Sequence, residues 1–361
     1  MSAAPLGRAA RWVWRSPAPL ASLARGALLP FAGAFRAGVA VRNAAYDGGL
    51  LPVRRLPLPS LGIGNLEVGG TGKTPLAYWV AAELRRRGAR PGVILRGYGG
   101  DEAAEHAAAL PEAVVEADPD RVAASVRAAR SGASVLVLDD CLQRRAVRVD
   151  AMLAVVSADT WGRPPRRWPL PAGPWREGLG ALGRCDLVVV TCKAAEASAA
   201  STLAAELAPR TRGRSGVVAD LALSALVPLA GGPGRAPRSL RGLRVLAVCG
   251  IGEPEAFRAQ LERTGASVRL QAFGDHHAYV AGDLAQIGGS AAGCDFVVTT
   301  AKDAVKLRGR WPPQAPPCLV AVLEVQITCG AGELGALLDR VATAARRTPS
   351  EAAAASPESE S

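Results

Sequence analysis

Ser60-Leu-Gly-Ile-Gly-Asn-Leu-Glu-Val-Gly-Gly-Thr-Gly-Lys-Thr-Pro75 is the stretch whose reading decides the fold. The apolar run Leu58–Gly64 reads as a buried strand, the Ala/Leu/Arg-rich run Thr74–Arg87 reads as an amphipathic helix, and the glycines lie between them. A phosphate-binding loop requires that context. Glycines let successive backbone N–H groups converge on phosphate oxygens, and the helix start adds the positive end of its dipole. Lys73 is placed to reach the β- and γ-phosphates and Thr74 to hold Mg²⁺. The strict spacing G-x-x-x-x-G-K-[ST] puts glycine at position 67, where this chain carries Glu67, so the match is to the Gly-Gly-Thr-Gly-Lys-Thr half. Nucleotide contacts are therefore expected from Glu67, Val68, Gly69, Gly70, Thr71, Gly72, Lys73 and Thr74. The bland alternative is a glycine-rich turn that happens to precede a helix. Composition weakens it, because positive charge is written almost wholly as Arg and the only lysines are Lys73, Lys193, Lys302 and Lys306. For Lys193, chance suffices as an explanation.

Downstream, short apolar strands alternate with Ala/Arg-rich helices, the rhythm of a mostly parallel sheet covered on both faces. Strands are expected over Gly92–Leu95, Ser134–Leu138, Met152–Ser157 and Asp186–Thr191, and helices over Asp120–Arg130 and Ala194–Leu207. Ser134-Val-Leu-Val-Leu-Asp-Asp140 ends in two carboxylates, where open α/β sheets bind ligands. Asp139 and Asp140 are thus metal candidates with Thr74: one to hold Mg²⁺ through water, the other to orient the metal shell or the nucleophile.

The Gly/Pro-rich run Leu229–Arg238 separates this block from a second α/β run beginning at Leu243. The expected organisation is an N-terminal segment over 1–55, a P-loop domain over 56–228, a smaller α/β domain over 239–346 and a disordered tail over 347–361. The seven cysteines form no CxxC pair and mostly sit in apolar runs, so neither a disulfide framework nor a zinc site is expected.

Of the formal charge of +11, the first 55 residues carry +7, eight Arg against the single acid Asp47. Such a segment suits either nucleic-acid phosphates or anionic lipid headgroups. At 100° per residue Leu20, Leu23, Leu28, Phe31 and Phe35 share one side of a helix, with Arg15, Arg25 and Arg36 on the other, the pattern of an interfacial basic helix. Pro17, Pro19 and Pro30 are expected to interrupt it. The longest uncharged run, Gly26–Phe35, is about half of the roughly 20 residues a spanning helix needs, so no transmembrane span is expected.

The order of motifs resembles one family over nearly the whole chain, the lipid A tetraacyldisaccharide 4'-kinases. The segments that carry the resemblance are Gly64–Pro75, Arg96-Gly-Tyr-Gly-Gly100, Asp139-Asp-Cys-Leu-Gln143, Leu170-Pro-Ala-Gly-Pro-Trp-Arg-Glu177, Cys249-Gly-Ile-Gly252, Phe273-Gly-Asp-His-His277 and Thr300-Ala-Lys-Asp-Ala-Val-Lys306. The resemblance implies Mg²⁺-dependent transfer of the ATP γ-phosphate to the 4'-hydroxyl of an acylated glucosamine disaccharide 1-phosphate. It also implies two α/β domains and peripheral attachment to the cytoplasmic face of the inner membrane. A membrane surface then becomes the partner of the N-terminal segment, with no nucleic acid and no protein partner implied. Residue by residue, it implies Asp101 with His276 at the acceptor hydroxyl, Lys73 at the transferred phosphoryl, and Arg121 and the Arg176–Glu177 pair near phosphates. Glu177 is expected to orient the Arg176 fork. The family pattern is departed from at Leu95, Cys141, Arg144 and Ala301. Two rivals remain: another P-loop NTPase, for which no guanine-reading Asn-Lys-x-Asp is present, and a degenerate homologue that binds nucleotide and membrane without phosphorylating.

Overall fold

The computed structural model describes residues 9–10, 12–14, 16–97, 110–162, 167–275 and 277–347. After helical residues at 9–10 and 12–14 comes the long helix α1 (Pro19–Asp47), which runs through Pro30 without a break. Pro19 occupies its first turn, where a missing N–H costs nothing, and the carbonyl that Pro30 leaves unpaired belongs to the exposed Gly26. The expectation that the prolines interrupt regular helix is thereby corrected. Burial follows the helical period through Ala21, Ala24, Leu28, Ala32, Phe35 and Val39, so this stripe faces the protein. Leu28 and Phe35, expected beside Leu20, Leu23 and Phe31, turn inward, whereas those three stay exposed.

Beyond α1 come β1 (Arg54–Arg55), β2 (Ser60–Asn65), α2 (Lys73–Arg86), β3 (Pro91–Leu95), β4 (Val114–Ala117), α3 (Arg121–Arg130), β5 (Val135–Leu138), β6 (Val147–Arg148), β7 (Ala151–Ser157), β8 (Leu187–Cys192), α4 (Ala197–Leu207) and β9 (Ser215–Pro228). The second block holds β10 (Arg244–Cys249), α5 (Pro254–Glu262), β11 (Ser267–Ala272), α6 (Ala281–Ser290), β12 (Phe296–Thr300), α7 (Ala301–Leu307), β13 (Cys318–Cys329) and α8 (Ala331–Arg347). Apart from the short β1–β6 ribbon, the strands form one sheet in the order β11-β10-β12-β13-β9-β8-β7-β2-β5-β3-β4. Every neighbouring pair is parallel except β13–β9, where the two blocks join.

The central strands are apolar because both faces are covered. β2, β3, β5 and β8 are buried at every position. Strand order reverses on either side of β2: the chain passes to β3, β4 and β5 on one side, then to β7, β8 and β9 on the other. The carboxyl end of β2 is therefore the switch-point crevice of an open α/β sheet.

The two blocks are tied twice. β9 and β13 pair over most of their length, and α8 returns to the first core, where Leu334, Leu337, Leu338 and Val341 pack with Leu61, Leu76, Val80 and Val135. Residues 331–346, read from the sequence as part of the second domain, thus pack on the core of the first. The expected tail beyond Arg347 lies outside the described residues.

Candidate active site

The loop after β2 is held from outside by side chains of neighbouring elements. Buried Asn65 donates from Nδ2 to the Thr71 hydroxyl (2.9 Å), and the Thr191 hydroxyl donates to the Thr71 carbonyl (2.7 Å). The Val68 N–H meets the Pro174 carbonyl at 2.8 Å, and the Glu67 carboxylate accepts from the Thr160 hydroxyl at 2.8 Å. Gly72, just before α2, has φ of +85°, and a Cβ there would lie 2.6 Å from Leu221 Cδ1. Conformation and space both demand glycine at the turn that aims Lys73 and Thr74.

Those two residues meet the carboxylates at the end of β5. The Thr74 hydroxyl donates to Asp139 Oδ2 at 3.0 Å, and Lys73 Nζ lies 3.7 Å from Asp140 Oδ1. Asp140 sits at φ +52°, a left-handed geometry that Asp tolerates better than most residues, with its N–H bonded to Asp139 Oδ1 at 2.8 Å. Arg176 grips Asp140 with two parallel bonds, 2.8 and 3.1 Å, and also reaches Asn65 Oδ1. Arg121 is buried beneath this turn and donates to the Asp139 carbonyl at 2.9 Å.

The electrostatics follow from that packing. Burial pulls the Lys73 ammonium down, against the opposing pull of Asp140 and Asp139. Burial works to raise the Asp140 carboxyl, but the Arg176 fork and Lys73 outweigh it and hold it well below the usual carboxylate range. Burial likewise lowers Arg121 and pushes the Cys141 thiol up to about 12. At neutral pH the site holds an ionised Asp140 between Lys73 and the guanidinium groups of Arg176 and Arg121, and a protonated Cys141. Thr74, Asp139 and Asp140 offer an all-oxygen donor set next to a phosphate-binding loop. That set suits Mg²⁺, which takes one or two carboxylates, keeps waters and is completed by phosphates.

Arg176 and Glu177 are adjacent in sequence and serve different neighbours. The segment runs beside the phosphate loop, with Trp175 bridging Glu67 and the Arg176 N–H bonded to the Leu66 carbonyl at 2.7 Å. Arg176 is oriented by Asp140 and Asn65. Glu177 points instead to α1, accepting from Arg42 (2.9 Å) and Asn43 (3.0 Å), with Arg184 at 3.5 Å. The expectation that Glu177 fixes the Arg176 fork is replaced by an anchor for the N-terminal helix. A cleft between α1 and this segment is lined by Phe35, Arg36, Val39, Trp175, Arg176 and Glu177.

The second block also reaches the loop. Lys193, just past β8, bonds the Gly70 carbonyl and pairs with Glu253 Oε2 at 2.6 Å. Chance placement does not describe this lysine, and a rare Lys immediately after a strand's carboxyl end was the signal available in the sequence. Further out, His277 Nε2 lies 2.8 Å from Asp283 Oδ2, and Lys302 pairs with Asp275 at 2.9 Å. Asp101 and His276 lie outside the described residues.

A Gly-rich loop, a half-buried lysine and paired carboxylates at the switch point of a parallel sheet define a P-loop phosphotransferase. A family model described as tetraacyldisaccharide-1-P 4'-kinase matches residues 24–112 and 99–343. The tetraacyldisaccharide 4'-kinase of Anaeromyxobacter dehalogenans is 39% identical over 363 residues, 92% of this chain and 94% of that protein. Its counterpart in Aromatoleum aromaticum is 38% identical, covering 79% of this chain and 85% of its own. Among solved structures, LpxK from Aquifex aeolicus in complex with ATP superposes with a TM-score of 0.67 at 25% identity, over 88% of this chain and 99% of that one. The chain belongs to the tetraacyldisaccharide-1-P 4'-kinase family.

Proposed function

We propose that this chain transfers the γ-phosphate of ATP, with Mg²⁺, to the 4'-hydroxyl of a tetraacylated glucosamine disaccharide 1-phosphate at a membrane surface. The observation that carries the reading is the convergence of Lys73, Thr74, Asp139, Asp140 and Arg176 at the carboxyl ends of β2 and β5. Thr74 and Asp139 are within 3.0 Å of each other and are the pair we assign to the metal. Held by Thr74 and Asp139, Mg²⁺ would supply positive charge to neutralise what develops on the phosphates during transfer. Lys73 supplies a desolvated cation next to the loop, where its attraction for a phosphate oxygen is weakly screened. Asp140 keeps Lys73 and Arg176 aimed into the site before nucleotide arrives. Asp101 and His276 are proposed for the acceptor hydroxyl on the strength of the family motif.

The acceptor's seat is proposed in the cleft between α1 and the Trp175–Gly178 segment, where Arg36 and Arg176 offer cations to phosphate and Phe35, Val39 and Trp175 offer apolar area. The outward side of α1 supports the membrane. Leu20, Leu23, Phe31 and Val41 are 65–71% exposed and, at 100° per residue, fall on one stripe with Ala27, Ala34 and Gly38. No helix among the described residues is long and apolar enough to cross a membrane. Attachment is accordingly proposed as peripheral, on the inner membrane's cytoplasmic face.

The test is incubation of purified protein with radiolabelled ATP, Mg²⁺ and the tetraacylated disaccharide phosphate in detergent micelles. Labelled bisphosphate product is expected. Absence of product, under conditions where a relative works, would sink the kinase reading and favour a degenerate homologue.

A further inference from the structure

Two successive carbonyls of the phosphate loop are anchored from outside by the end of β8: Gly70 by the Lys193 ammonium and Thr71 by the Thr191 hydroxyl. In a trans peptide the N–H points opposite to the carbonyl of the same unit. Holding these two oxygens outward therefore turns the Thr71 and Gly72 N–H groups to the other side. The Thr71 N–H meets the Gly69 carbonyl at 3.0 Å, a short-range bond that a phosphate oxygen can replace.

Lys193 is itself immobilised. Its backbone N–H and those of Ala194 and Ala195 bond the buried Asp159 carboxylate, each at 2.8 Å, and its carbonyl accepts from Arg263, the residue after α5, at 2.8 Å. Its ammonium pairs with Glu253, which is 5% exposed and lies in the second block between β10 and α5. Glu253 follows Gly252, and a Cβ at Gly252 would lie 2.5 Å from the Gly70 backbone nitrogen. Backbone thus meets backbone at the same residue whose carbonyl Lys193 holds.

We infer that Lys193, held by Glu253, is a positioning residue for the phosphate loop, making the Gly252–Glu253 turn of the second block a working part of the ATP site. The inference rests on the ATP reading above. It implies that the pair tunes nucleotide affinity and leaves the acceptor side alone.

A three-variant set on the full-length protein tests it, with dissociation constants for a non-hydrolysable ATP analogue, both KM values and Tm. Lys193→Met is expected to weaken the analogue about tenfold without changing the acceptor KM, and to lower Tm by stranding a buried carboxylate. Glu253→Gln keeps an acceptor for the ammonium, so a smaller loss, about threefold, is expected. The double variant Lys193→Met/Glu253→Gln removes the stranded charge, so Tm should recover while affinity stays low, since the Gly70 carbonyl still lacks its donor. Affinity that returns together with Tm in the double variant, or a Lys193→Met protein that binds the analogue normally, overturns the inference.

Hydrogen exchange on the wild-type protein is independent of any variant's folding. The analogue should slow exchange in the peptide spanning 249–257, and unchanged exchange there with the analogue bound counts against the inference. Wild-type protein that fails to bind the analogue at all would sink the ATP reading itself, a distinguishable result.

Discussion

Two turns of this molecule face each other with similar local sequences and opposite chemistry. Asn65 at the end of β2 is followed by Leu-Glu-Val-Gly-Gly-Thr-Gly and then by α2, opening on Lys73 and Thr74. Cys249 at the end of β10 is followed by Gly-Ile-Gly-Glu and then by α5, opening on Pro254. Both are strand, glycine turn and helix. Only the first places a cation and a hydroxyl at the helix start, facing the Asp139–Asp140 pair at the end of β5, whereas the carboxylate beside the second, Asp303, is bonded to the Gly250 N–H at 2.9 Å. The second places Glu253 there, an anion already paired with Lys193. A glycine turn at a helix start is thus permission to bind phosphate, and the charges on the first helical residues decide whether it does.

The largest expected effect breaks the first turn. Lys73→Ala should lower kcat by about 10²–10³-fold, on the order of 3–4 kcal/mol of transition-state stabilisation. Asp140 keeps its bidentate Arg176, so the fold should persist, which circular dichroism checks. Turnover within a factor of a few of wild type would mean that the first turn is no more a phosphate site than the second.

Arg176→Ala comes next, and its signature lies in pH. The bidentate bond to an ionised partner contributes about 1.5–3 kcal/mol. Because Asp140 is held below its ordinary value of about 3.9 when folded, the unfolded chain takes up this proton first as pH falls. Stability from the pair is present in full above that value and is lost progressively as pH falls from it through the lower folded value. The stability gap between wild type and variant in urea unfolding should therefore be widest near pH 7, begin to narrow near pH 4 and go on narrowing as pH falls further. A gap that does not narrow would show that Arg176 stabilises by something other than this carboxylate.

Much of the first turn is legible in the sequence. Strand β2, helix α2 and the paired Asp fall within two residues of the expected bounds, because glycine, lysine and a buried apolar run are local signals. What escaped was non-local. Lys193 is 123 residues from Gly70 and 60 from Glu253, so its rarity and its place after a strand can flag it but nothing near it names its partners. Glu177 sits beside Arg176, yet its partners Arg42 and Asn43 are more than 130 residues away. The return of α8 to the first core was hidden for the same reason: its amphipathic pattern says that it packs, and the β9–β13 joint decides where. Pro30 misled through a real local cost that an exposed helix face absorbs.

Gly252→Ala sharpens the comparison at the point of contact between the turns. A methyl 2.5 Å from the Gly70 nitrogen meets backbone on a loop that is already anchored, so one turn must shift. Overpacking of this kind costs about 1–3 kcal/mol. We expect the KM for ATP to rise about tenfold and the acceptor KM to hold. Gly288→Ala in α6, where a Cβ meets nothing within 4 Å, is the control and should leave both constants unchanged.

The smallest effect concerns what the first turn has and the second lacks, a strap to the N-terminal helix. The 174–177 segment lies along the phosphate loop and ends in Glu177, which receives Arg42 and Asn43 from α1. Arg42 is 39% exposed, so its bond to Glu177 is partly screened and is worth about 0.2–1 kcal/mol. Asn43 and Arg184 still serve the buried carboxylate after Arg42→Ala, so the helix should stay docked. The expected change is a two- to fivefold rise, roughly what that energy converts to, in the acceptor KM measured in micelles. The KM for ATP should not move, since Arg176 remains fixed by Asp140 and Asn65. A rise in the ATP constant instead would mean that α1 acts through the strap on the phosphate loop, and that the helix belongs to the nucleotide side of the site.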